Sequence, residues 1–127
     1  MAKIIFCEDS PVTQKLIRAI LRPTPHEIHF ASGGLEGFRL VESLRPDVVF
    51  TDVHMEEMTG LQLCARIKAH ADLLHIPVVL MTASVQTAFL EEGYRNGASD
   101  HLFKPFTPEE LRAKVEKFAG DSQQATP

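Results

Sequence analysis

The sequence predicts an α/β fold: a five-stranded parallel sheet with helices on both faces. Short apolar runs alternate with amphipathic segments of about 10–13 residues, and the pair recurs five times along the chain. Each apolar run has strand length, and most end in a polar residue or cluster. Parallel strands joined by such segments require right-handed crossovers, so all the polar strand ends fall along one rim of the sheet.

The 127 residues make one domain, with 44% apolar and 24% charged residues, ordinary values for a globular chain. A net charge of −4 argues against direct nucleic-acid binding by this segment. No apolar run approaches the roughly 18 residues a membrane span needs, and the N-terminus lacks a signal-peptide pattern. Cys7 and Cys64 sit in apolar runs rather than at metal or redox spacing, which reads as buried reduced thiols. A cytoplasmic protein is expected.

Residues 4–7 form the first strand, closed by Glu8 and Asp9. Ser10-Pro11 is a helix start, an N-cap hydroxyl before an N1 proline. Val12, Leu16, Ala19 and Ile20 recur at helical spacing, so a helix should run to about Leu21. Ile28 and Phe30 alternate with polar or small residues in a second strand, and Ser32-Gly33-Gly34 turns into a second helix that stops before Pro46. Residues 47–52 form the third strand. Its β-branched and aromatic run suits burial on both faces, and it puts Asp52 at a carboxyl end. Leu61, Cys64, Ile67 and their neighbours mark a third helix. Residues 76–81 are the fourth strand, with Pro77 confined to its start and Thr82-Ala83-Ser84 after it. A fourth helix spans about 85–96 and closes on Gly97. Residues 100–103 are the fifth strand, ending at Lys104-Pro105. Thr107-Pro108-Glu109-Glu110 opens the last helix with cap, proline and acids together. The domain is placed at 1–119, with 120–127 as a polar tail or the start of a linker.

The chemistry gathers at four strand ends: Glu8-Asp9, Asp52, Thr82 and Lys104. Taken singly, Asp52 could be a nucleophile, a metal ligand or merely the polar residue that ends a strand. Jointly they bring three carboxylates, a hydroxyl and an ammonium to one rim. Two like charges 4 Å apart cost about 4 kcal/mol at an effective dielectric of 20, a strain that a divalent cation relieves. Mg²⁺ takes hard oxygen ligands and leaves positions for phosphate oxygens. Lys104 and Thr82 can contact other phosphoryl oxygens. The set suits a phosphoryl group carried on a carboxylate.

Glu8-Asp9, Asp52, Thr82-Ala83 and Lys104-Pro105 together resemble the receiver domain of two-component response regulators. The loop after Asp52 matches as well, with Met55 three residues on and Gly60 eight residues on. The resemblance runs from about Lys3 to Ala119. It implies a flavodoxin-like sheet of order 2-1-3-4-5 and a phospho-accepting signalling switch rather than an enzyme acting on an external substrate. Asp52 would accept phosphate from a phosphohistidine of a histidine kinase or histidine phosphotransfer protein. Asp9 and Asp52 would ligate Mg²⁺, Glu8 through water, and the backbone carbonyl of His54 would complete the protein ligands. Thr82 and Lys104 would contact the phosphoryl group, and Lys104-Pro105 would be cis. The surface from the fourth helix through the fifth strand to the last helix would then signal to a downstream protein target or a covalently linked output domain.

Four positions depart from the family pattern or tune it. Glu56 replaces the usual proline after Met55, so that loop is expected to be freer. His101 replaces the usual switch tyrosine or phenylalanine; an imidazole also titrates near neutrality, and comparing the phosphorylation-linked change at two pH values separates a titrating switch from a packing ring. His54 and Ser84 flank the phosphoryl site, where the family sets the lifetime of the phosphorylated state. His26, His29, His70 and His75 lack zinc spacing and read as packed or solvated. Rival readings are an unphosphorylated scaffold, an aspartate-nucleophile phosphatase and a flavodoxin-type mononucleotide binder. The phosphatase wants a second acid where this chain has His54. In the flavodoxin type, Glu8-Asp9 would repel phosphate.

Overall fold

The computed structural model describes residues 1–83 and 86–124. Five strands, β1 (Lys3–Cys7), β2 (Glu27–Ala31), β3 (Val48–Asp52), β4 (Val78–Thr82) and β5 (Asp100–Phe103), alternate with helices α1 (Pro11–Leu21), α2 (Gly34–Leu44), α3 (Gly60–Lys68), α4 (Thr87–Arg95) and α5 (Pro108–Gln124). All pairings are parallel and the strand order is β2-β1-β3-β4-β5. The expected architecture and order are both present.

Strand chemistry follows position. β4 is buried throughout and β1 and β3 nearly so, whereas edge strand β2 is half-exposed and β5 alternates, as central and edge parallel strands should. Two cores result. One packs α2 and α3 over Ile5, Val49, Val78 and Leu80. The other packs α1 and α5 over Ile4, Phe6, Phe50, Val79 and Met81. Phe6 stacks between Phe30 and Phe50, with ring centroids 5.8 and 4.8 Å away.

Most helix ends obey their local chemistry. The Ser10 hydroxyl accepts from the Thr13 N–H with Pro11 at the helix start, and Thr59 and Gln62 form a reciprocal capping box on α3. Gly97 follows α4 at φ +100°, a left-handed position that favours glycine. Pro77 lies just before β4, and its carbonyl accepts from the Val49 N–H. Cys7 and Cys64 are free and buried, and burial pushes the two thiols up to about 12 and about 11.

Two expectations need adjustment, and α1, which ends at Leu21 as expected, adds a finding in which residues it buries. On α1 the buried residues are Ile17, Ile20 and Leu21, while Val12, Leu16 and Ala19 face outward. Two apolar stripes share that helix, and the sheet takes the more C-terminal one because its bulkier residues reach the Phe6–Phe50 layer. The last helix continues through residues 120–124 instead of giving way to a tail; Gly120 costs only about 1 kcal/mol relative to alanine, and no proline intervenes. The expected start of the fourth helix at Val85 lies outside the described residues, and its last helical residue is Arg95.

Candidate functional site

The rim at the carboxyl ends of the strands is assembled by register. β1 and β3 pair up to Cys7 and Thr51, so Glu8, Asp9 and Asp52 emerge side by side. Glu8 is held inward: its N–H donates to the Ala31 carbonyl, and its Oε2 accepts from the Ser10 N–H at 3.0 Å. That leaves its carboxylate 1% exposed. Asp9 faces solvent and Asp52 is partly buried. Glu8, Asp9 and Asp52 each offer an oxygen, all within 4.8 Å of one another.

Behind Asp52 the chain is tightly constrained. The Val53 N–H donates to the Met81 carbonyl and the Gly60 N–H to the Val53 carbonyl. A Cβ on Gly60 would run into the Asp52 carbonyl and Val53 Cα. Only glycine lets α3 start so close to the end of β3.

Lys104 closes the site from the other side. Its backbone N–H donates to the Thr82 carbonyl at 2.9 Å, and the Lys104-Pro105 bond is cis. Its Nζ lies 2.6 Å from Glu8 Oε1 and 3.0 Å from Asp52 Oδ2. Burial pulls the ammonium down, but the Glu8 and Asp52 carboxylates outweigh that and hold it above its usual value. Thr82, 1% exposed, sits at the end of β4 between these groups. The oxygens are hard donors converging from two strands, so Glu8, Asp9 and Asp52 fit a small divalent cation. Lys104 already neutralises part of their charge.

Of the other singled-out residues, His54 is exposed and its ring stacks against Phe89 of α4, centroids 6.2 Å apart. His101 lies on β5 with Nδ1 2.6 Å from the Tyr94 hydroxyl. Ser84 lies outside the described residues. His26 is packed, accepting from the Ala2 N–H through Nδ1 and facing Glu116 through Nε2. His29 pairs with Glu27.

Three features had escaped the sequence reading. A cleft of about 350 Å³ beside Asp9 is lined by Glu36, Glu56 and Glu57 with Ser32 and Gly33. Val12 and Leu16 stand open on α1, beside a hollow of about 330 Å³ lined by Thr13, Leu16, Ala83, Lys104, Pro105 and Phe106. Tyr94 partners His101. A helical wheel holding both α1 stripes would have exposed the second of these; the first and third depend on tertiary approach.

Residues 4–116 match the family model of the response regulator receiver domain. The chain is a response-regulator receiver domain. The receiver domain is 33% identical over 119 residues to the transcriptional regulatory protein CrdR of Helicobacter pylori, covering 94% of this chain and 55% of that protein. It is 30% identical over 115 residues to the DNA-binding dual master transcriptional regulator RpaA of Synechocystis, covering 91% and 48%. It therefore spans about half the length of these curated relatives. Among solved structures, chemotaxis protein CheY4 of Vibrio cholerae superposes with a TM-score of 0.87 at 27% identity, covering 93% of this chain and 98% of that one. The receiver domain of the sensor histidine kinase PA1611 from Pseudomonas aeruginosa gives 0.85 at 27%, covering 94% and 98%; that structure carries a magnesium ion in its active-site cleft. Among the described residues no helix of this receiver domain is long and apolar enough to cross a membrane.

Proposed function

We propose that this receiver domain is a phosphorylation switch in which Asp52 accepts a phosphoryl group from a phosphohistidine. The observation that carries the reading is the Asp52 carboxylate at the rim, beside Glu8 and Asp9 and hydrogen-bonded to the Lys104 ammonium. An Asp52 oxygen attacks phosphorus and the P–N bond breaks. The bond electrons leave with the imidazole, which takes up a proton, and an acyl phosphate remains on Asp52. Asp9, Asp52 and the His54 carbonyl would hold Mg²⁺, with Glu8 acting through water, and the ion would supply charge neutralisation for the transferring oxygens. Lys104 exchanges its carboxylate contacts for a phosphoryl oxygen, and the Thr82 hydroxyl donates to another. Turnover of an external substrate is not part of this function; the protein promotes only its own phosphorylation and dephosphorylation.

The donor fits the open face of α1. Val12, Leu16 and Ala19 present an apolar i, i+4, i+7 stripe next to the hollow at Lys104, Pro105 and Phe106. Such a stripe suits a helix of a histidine kinase or phosphotransfer protein. Output then follows from the phosphoryl charge, roughly −1.5 to −2, drawing Thr82 inward, re-pairing Lys104 and repacking the α4-β5-α5 surface. A differential interaction of about 2–3 kcal/mol raises a minor state of a few per cent to the majority. The reader of that surface is a protein target or an output domain in the same chain, as the greater length of the relatives suggests.

The test is incubation with phosphoramidate, a small donor carrying a P–N bond, in Mg²⁺, followed by intact mass measurement. The proposal expects the mass of one phosphoryl group, and none when the metal is chelated before the donor is added. An unchanged mass would favour the scaffold reading.

A further inference from the structure

Helix α4 is lightly attached to the rest of the fold. Gly93 is its one buried residue among those described, and there it meets β4, where a Cβ would run into Leu80 Cδ1. The next residue, Tyr94, reaches across to β5. Its hydroxyl lies 2.6 Å from His101 Nδ1, and the two rings meet edge to face with centroids 6.0 Å apart. Phe103 also meets the imidazole edge to face, at 4.8 Å. The switch-position side chain is thus held by one ring from α4 and one from its own strand.

The backbone beneath is fixed by other means. The His101 N–H donates to Asp100 Oδ1 at 2.8 Å, and Lys114 and Lys117 of α5 hold Asp100 Oδ2 at 2.8 and 2.9 Å. What the Tyr94 hydroxyl governs is therefore the rotamer of His101. Burial and the Asp100 carboxylate push the Tyr94 phenol above its usual value, so the hydroxyl keeps its proton. The hydroxyl and Nδ1 share one hydrogen bond, in which the phenol donates when the imidazole carries its proton on Nε2. Register sets His101 and Phe103 beside Leu80 and Thr82 on one face of the sheet, the face on which Thr82 would move.

We propose that Tyr94 is a positioning residue that latches His101 to α4 and thereby favours the unphosphorylated arrangement. The inference rests on the phosphorylation reading above, since a latch needs a second state to oppose. A hydrogen bond present in one state and broken in the other shifts the equilibrium by its whole worth, whereas a bond kept in both shifts nothing. For a partly exposed neutral bond that shift is about two- to tenfold.

Tyr94→Phe keeps the ring contact and removes only the hydroxyl. The phosphoryl mimic beryllofluoride, titrated in Mg²⁺ and followed by amide resonances of α4 and β5, reads the equilibrium directly. The latch predicts about two- to tenfold tighter binding of the mimic by Tyr94→Phe. It also predicts unloaded α4 resonances displaced toward their loaded positions. In a His101→Phe background, which lacks the hydrogen-bond partner, adding Tyr94→Phe should change nothing further. Equal or weaker binding by Tyr94→Phe, or the same gain in both backgrounds, overturns the latch while leaving the receiver reading intact. Wild-type protein that does not bind the mimic at all overturns that reading, and the latch with it.

Discussion

Replacing Lys104 with alanine probes how the rim tolerates its own charge. The ammonium makes two charge-assisted contacts, at 2.6 Å to Glu8 and 3.0 Å to Asp52. The acids' side chains are 1% and 13% exposed, so solvent compensates the loss poorly, whereas the lysine itself is 22% exposed. Hydrogen bonds to charged groups are worth about 1.5–3 kcal/mol each. Two such bonds, discounted for the exposed ammonium, give a loss of about 2–3 kcal/mol in metal-free protein. Mg²⁺ binds the same carboxylates and should compensate: at a hundred times its Kd it adds about 2.7 kcal/mol. Without its competing ammonium the variant should bind the ion more tightly. Urea denaturation with and without Mg²⁺ provides the assay, the deficit appearing in chelator and shrinking toward zero at saturating metal. Because the Lys104 pKa is raised in the folded state, its contribution is complete below about pH 10.4, the unfolded value, and fades only as pH climbs through the higher folded one. A variant as stable as wild type in chelator, or equally deficient with and without metal, would refute the reasoning.

Two further predictions concern the supports of the site. Gly60→Ala should destabilise the protein by about 2 kcal/mol or more and depress phosphoryl uptake, because the added methyl meets backbone at Asp52 and Val53; denaturation together with mass labelling checks it. Asp100→Asn removes the anchor of Lys114 and Lys117 and should cost about 1–3 kcal/mol at pH 7. Burial raises the Asp100 carboxyl, but the two lysines and the His101 N–H outweigh it and hold it below the usual range. Its contribution is therefore present above about pH 3.9 and lost as pH falls through the lower folded value. Stability curves of variant and wild type should converge at the acid end.

The sequence was most informative where local chemistry and global position agree. The uniform apolar runs of β1, β3 and β4 announce central strands, and polar residues at their ends announce the rim. Ser10-Pro11 and Thr107-Pro108 mark helix starts, and Gly97 a helix end, without reference to the rest of the chain. Helix α1 was harder because Val12-Leu16-Ala19 and Ile17-Ile20-Leu21 both satisfy a helical period, and only the sheet decides between them. Glu8, Asp9, Asp52 and Lys104 could be brought to one rim by topology alone. That Lys104 spans Glu8 and Asp52 together, and that Glu8 is buried, depends on side-chain reach that spacing does not encode. Tyr94 carries no local signal at all: it sits in an amphipathic helix like any exposed aromatic, and its partner is seven residues away on another element.

The most direct measurement locates the phosphoryl group. Borohydride converts an aspartyl acyl phosphate to homoserine, so phosphorylated protein can be reduced, digested and read peptide by peptide. The account predicts homoserine at position 52 and nowhere else, and no phosphoryl uptake by Asp52→Asn. Homoserine at Asp9, phosphate retained on a histidine, or undiminished uptake by Asp52→Asn would contradict it.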